Sequence, residues 1–147
     1  MNPDAIAIIR SGFRHLAAEP DHLAALFYAR LFDLDPGLRP LFKDDLTRQG
    51  RKLVAVLAHV VQGLDRLDTI VADVRALGRR HVDYGVVPAH YATVGAALLS
   101  TLADRLGATF DAEARTAWTQ AYNLLAEVML EAAREAAPAH PALEAVP

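Results

Sequence analysis

"LGRRHVDYGV", residues 77–86, holds the position on which the reading of the fold turns. Continued backwards as a helix, the stretch sets Ile70, Val74, Leu77 and His81 at steps of four, three and four, which is one helical face. An imidazole therefore ends an apolar stripe, after Arg79 and Arg80 and between Gly78 and Gly85. Two further stripes carry one polar side chain each. Gln49 stands one turn before Leu53 on a face continued by Val56, Leu57, Val60 and Leu64, and Tyr28 lies among Ala24, Phe27 and Leu31. A buried polar group without a partner costs about 1–3 kcal/mol, so each must meet something. A partner within the core satisfies any one of them, and for a lone histidine on an apolar face that is the commoner outcome. The three together fit a cavity whose occupant needs a base on one side and hydrogen-bond donors on the other.

Composition narrows what the occupant is. The chain has 147 residues, 53% hydrophobic and 22% charged, the proportions of one globular domain. It is rich in alanine and leucine and poor in β-branched runs, which favours helix throughout. There is no cysteine, so disulfides and thiolate metal sites are excluded, and any metal is held by histidine or carboxylate or arrives inside a cofactor. One imidazole supplies too few ligands for zinc, whereas haem iron needs a single axial protein ligand. A net charge of −3 gives no reason to expect nucleic acid as a partner. No apolar run is long enough to span a bilayer, and the start "MNPDAIAIIR" lacks the basic region of a signal peptide, so the expected location is cytoplasmic, with no membrane partner.

Proline and its neighbours punctuate the chain. Asn2 caps a first helix with Pro3 at its first position, and Pro20 opens a second over "PDHLAALFYARLFDL". Asp35 and Pro36 start a short helical turn that Pro40 breaks, and "KDDL" follows as a loop. Helices are expected from about Thr47 to Gln62 and from about Asp68 to Val82. Pro88 starts another, Gly107 ends it, and a last one runs from near Asp111 to about Ala136 with Trp118, Tyr122, Leu125 and Met129 in a stripe. The proline-rich end, residues 138–147, reads as a flexible tail after one domain over 1–137. The fold class is all-α.

Five segments then carry a family resemblance: "LFYARLF" (26–32), "DPGLRPLF" (35–42), "TRQGRKL" (47–53), "LGRRHVDYGVVPAHYATVG" (77–95) and "EARTAWTQAY" (113–122). In order and spacing they resemble the bacterial single-domain globins, nearest to the Hell's Gate type with its neuroglobin-like features, and the haem domain of flavohaemoglobins. The likeness covers about residues 5–133. It implies the globin fold, a three-on-three helical sandwich around haem b. It implies His81 as the proximal iron ligand, Phe42 packed on the haem, and Tyr28 and Gln49 as distal hydrogen-bond donors. Leu53 and Val94 become the apolar wall, and Arg80 neighbours a haem propionate. Tyr91 and Glu113 match the tyrosine and glutamate that form a network behind the proximal histidine in flavohaemoglobins. An acid in a first helical turn is also favoured there by the helix dipole alone.

Two departures stand out. Only six residues separate Phe42 from Gln49, fewer than in flavohaemoglobins, and the sequence ends at Pro147 without their flavin and nicotinamide domains. The expectation is a haem protein binding small gases (dioxygen, nitric oxide, carbon monoxide) with Tyr28, Gln49, Tyr91 and Glu113 acting in nitric oxide dioxygenation to nitrate or peroxidase-like chemistry, supplied by an external reductase. Reversible oxygen storage or transport is the alternative, a gas sensor the least favoured, and an oligomer is left open.

Overall fold

A computed structural model describes residues 1–43 and 45–136; the expected tail at 138–147 lies outside the described residues. Six α-helices account for nearly all of it: α1 (Pro3–Leu16), α2 (Pro20–Leu34), α3 (Leu46–Gln62), α4 (Leu67–Asp83), α5 (Pro88–Leu106) and α6 (Ala112–Ala136). The helix starts follow from side-chain caps that satisfy orphan amides. Asn2 Oδ1 accepts from Ala5 N at 2.7 Å, Asp45 Oδ1 from Thr47 N at 3.0 Å, and Asp111 Oδ1 from Ala114 N at 2.9 Å. Residues Pro36–Leu41 form a 3₁₀ segment capped by Asp35. It runs one residue past Pro40, because the bonds closing its turns, Leu38 N to Asp35 O and Phe42 N to Arg39 O at 3.1 Å, do not call on the missing proline amide. A single 3₁₀ turn at Gly107–Thr109, absent from the sequence reading, joins α5 to α6.

The core gathers the apolar faces of α1, α2, α5 and α6, with Ile9, Leu16, Leu23, Leu31 and Leu102 fully enclosed. Thr101 is the one buried polar residue described outside the aromatics, and its hydroxyl donates to Ala97 O at 2.8 Å. Two close crossings set the frame. At Gly50, α3 approaches α2 so closely that a methyl there would lie 2.6 Å from Ala24 Cβ. At Gly78, α4 lies on α6, where a methyl would meet Met129 backbone atoms at 2.5–2.9 Å. Only glycine permits either approach.

These crossings pull the two consecutive helices α3 and α4 toward different partners, α3 onto α2 and α1 and α4 onto α6. They stay together only near their shared corner, where Ile70 packs over Gly63 and His59 Nε2 meets Asp73 Oδ2 at 3.0 Å. From there they diverge, and α5 leaves α4 at a bend of 114°. The result is a slot whose apolar walls are only half-buried: Leu53, Val56 and Leu57 on α3, Leu77 and Val82 on α4, Val94 on α5. No single helix among the described residues is long and apolar enough to cross a membrane.

Candidate functional site

One side of the slot is built on α4. His81 stands in its last turn, half-buried, with Nδ1 at 2.7 Å from the carbonyl oxygen of Leu77. A carbonyl can only accept, so Nδ1 carries the proton and Nε2 is the lone-pair nitrogen. Nε2 points away from the helix backbone and has no hydrogen-bond partner among the described residues. Burial holds the imidazole pKa below its ordinary value; the Leu77 carbonyl opposes that, and the Arg80 charge adds to it. The ring is thus neutral, the state in which imidazole ligates a metal. Tyr84 covers one flank, its ring centroid 5.7 Å from that of His81.

The facing side is built on α2, α3 and the 3₁₀ segment. Tyr28 is 4% exposed, and burial pushes its phenol up to about 12, with the Gln49 side chain taking back part of that rise. The Gly50 crossing is what brings these two together: Tyr28 Cε2 lies 3.9 Å from where a Gly50 methyl would stand, and Gln49 is the adjacent residue. Phe42 meets the Tyr28 ring edge-on at 5.4 Å, and Phe32 packs on both. Arg39 fixes this corner, donating to Phe42 O at 2.9 Å with its guanidinium over the Phe32 ring. The short connection to Gln49 therefore leaves from this aromatic cluster.

The remaining expected residues are placed as follows. Leu53 and Val94 are half-buried against the core on α3 and α5, and Arg80 is exposed at the end of α4. Tyr91 is half-buried on α5, its hydroxyl enclosed without a partner among the described residues, and burial raises its pKa. Tyr122 on α6 donates to the Tyr91 carbonyl at 2.6 Å. Glu113 lies exposed in the first turn of α6, and no described hydrogen bond or ion pair joins it to Tyr91 or His81. The group that does bond the imidazole is the Leu77 carbonyl. Helical spacing places Leu77 one turn before His81, but no side chain in the sequence says that the ring bonds its carbonyl.

Among the described residues no three metal-binding side chains come together. A lone neutral imidazole facing a slot with apolar walls suits a metal that brings its own equatorial ligands, and a haem fits that donor set. The Leu77 carbonyl on Nδ1 orients the ring for such a ligand.

Comparison with known proteins agrees. The globin family profile matches residues 25–129. The flavohemoprotein of Vibrio cholerae is 31% identical over 134 residues, covering 89% of this chain and 34% of that protein. The flavohemoprotein of Bordetella pertussis is 30% identical over 133 residues, 88% and 33% respectively. The chain thus spans about a third of the length of these curated relatives. A solved bacterial globin from Campylobacter jejuni superposes with a TM-score of 0.81 at 25% identity, covering 91% of this chain and 97% of that one. The expected all-α, three-on-three fold is therefore the observed one. Because the matched span runs from the helix that bears Tyr28 to the turn of α6 beneath Gly78, it takes in both sides of the slot, and the chain belongs to the globin family, whose members bind small gases such as dioxygen at a haem.

Proposed function

We propose that the chain binds haem b through Nε2 of His81, holds dioxygen against Tyr28 and Gln49, and oxidises nitric oxide to nitrate with an electron from a reductase in the cytoplasm. The haem supplies an iron that takes up dioxygen, and the overall change is NO + O₂ + e⁻ → NO₃⁻. The observation that carries the reading is a neutral, helix-anchored imidazole on α4 together with a buried tyrosine on α2 and the half-buried glutamine beside it on α3.

Each side chain has a defined task. The Tyr28 hydroxyl and the Gln49 amide would donate hydrogen bonds to bound dioxygen, and a hydrogen bond to a group bearing negative charge is worth about 1.5–3 kcal/mol. Leu53 and Val94 keep water from the ligand. Phe42, held by Arg39, would pack on a bound haem, and Arg80 would pair with one of its carboxylates. His81 is kept in one tautomer by Leu77, so its lone pair is always presented. The Tyr91 hydroxyl is enclosed and has no described partner.

The test is rapid mixing of the oxygenated protein with nitric oxide and quantification of nitrate. One nitrate per haem, formed as fast as the oxygenated spectrum disappears, is expected. Release of intact dioxygen with no nitrate would leave reversible oxygen binding in its place.

A further inference from the structure

The topology of the slot also says where its mouth is, and the sequence says what charge the mouth carries. Chain direction runs toward the Gly63 corner along α3 and away from it along α4. The first turns of α3 and the last turns of α4 therefore form the two lips of the open end, with the Phe42 corner beside them. Residues 39–52 and 77–83 hold seven arginines and lysines against three aspartates, a net +4 in a chain of −3, so the remainder carries −7. Cations elsewhere are largely spent within the molecule: Arg10, Arg30, Arg66, Arg75 and Arg105 all lie in ion pairs. Among the described residues Arg51 is the one mouth cation with an acidic partner, Asp21, and at 3.9 Å. The two carboxylates of a haem would offset two of these charges, and a net positive rim is left. At the same rim Tyr84 is 56% and Val87 47% exposed, two of the four large apolar side chains that face solvent among the described residues.

We propose that this mouth is the docking surface for an acidic electron-transfer protein, which delivers one electron at the slot; this rests on the haem-binding reading above. The donor's reduced flavin or iron–sulfur centre loses one electron and ferric iron gains it, with no bond made or broken in the chain. A cationic rim around an exposed aromatic is the surface such a partner fits: charge steers the encounter, and Tyr84 and Val87 supply the desolvated centre. Long-range attraction of this kind weakens as salt shortens the screening length, from about 30 Å at 0.01 M to about 3 Å at 1 M. The remainder of the chain, at −7, attracts no acidic partner, so the cationic mouth is the preferred approach.

The experiment uses haem-loaded protein and an acidic plant-type ferredoxin. Affinity for the oxidised ferredoxin is read by titration calorimetry at low salt, and reduction of ferric haem by the reduced form is followed at the Soret band. Arg48→Glu with Arg79→Glu, one on each lip, should weaken binding and slow reduction about tenfold or more, with the gap closing at high salt. Arg14→Glu with Arg66→Glu, an equal charge change away from the mouth, should cost little, and photoreduced lumiflavin, an uncharged donor, should reduce all forms alike. The milder Arg48→Gln with Arg79→Gln gives an intermediate loss and serves if the reversal perturbs folding. Equal losses from the two charge-reversed pairs, no measurable ferredoxin affinity in the wild type, or capture instead by phosphatidylglycerol vesicles through the same arginines would each overturn the docking surface. A wild-type protein without a Soret band would remove the haem reading beneath it, and is recognised as such before any ferredoxin is added.

Discussion

Gly50→Ala is the sharpest test of how the site is assembled. The added methyl would lie 2.6 Å from Ala24 Cβ, against an ordinary carbon–carbon contact of about 3.5–4.0 Å, so α2 and α3 must separate by about 1 Å. Overpacking of this kind costs about 1–3 kcal/mol. Alanine gains back about 1 kcal/mol of helix propensity over glycine. The net expectation is a loss of up to about 2 kcal/mol in urea unfolding, a drop of up to several degrees in Tm for a chain of this size. The same displacement moves Gln49 relative to Tyr28, so dioxygen should dissociate faster from the variant. Ala24→Gly in the same molecule removes the clash, and the double-mutant cycle should return a favourable coupling of about 1 kcal/mol or more. A Gly50→Ala protein more stable than wild type, or a double variant no better than the sum of its parts, would refute the crossing as the element that joins the tyrosine to the glutamine.

Other outcomes follow from the same geometry. Tyr28→Phe should speed dioxygen dissociation at least about tenfold, read by stopped-flow displacement. Because the phenol is pushed up to about 12, wild-type dissociation should stay flat to about pH 10, where an ordinary tyrosine would be half-ionised. Tyr91→Phe removes an enclosed hydroxyl without a described partner, so the haem-free chain should be unchanged or slightly more stable on thermal melting. His81 has a folded pKa below its ordinary 6.5, so the unfolded chain binds the proton more readily. Its contribution to stability is therefore whole above about 6.5 and is lost as pH falls toward the folded value. Haem-free protein should weaken over that window, and His81→Gln should flatten the slope.

Most of the helices were readable because their punctuation is local. Asn2, Asp35 and Pro88 declare starts through a cap or a fixed φ, and each helix began within a residue or two of its expected place. The stripe ending in His81 was readable for the same reason, since helical periodicity needs no knowledge of other segments. What pairwise packing decides was not. Nothing in "RQGRK" says that Gly50 meets Ala24, or in "ALGRR" that Gly78 lies on Met129, yet those crossings open the slot between α3 and α4. The acceptor of the His81 proton also had to be seen in three dimensions: a carbonyl four residues back leaves no trace in side-chain identity. Asp111 and Glu113 show the converse limit. Both suit a helix start, and the structure gives the cap to Asp111 while leaving Glu113 exposed.

The central claim is that the Nε2 lone pair of His81 holds the iron. Its most direct test is the absorption spectrum of His81→Gly protein expressed with haem in excess, recorded before and after adding free imidazole. The account predicts a weak, shifted Soret band that imidazole restores to the wild-type position, with the proximal coordination recovered in the ferrous form. An unchanged spectrum in the variant without imidazole would show that another group ligates the iron, and would contradict the account at its base.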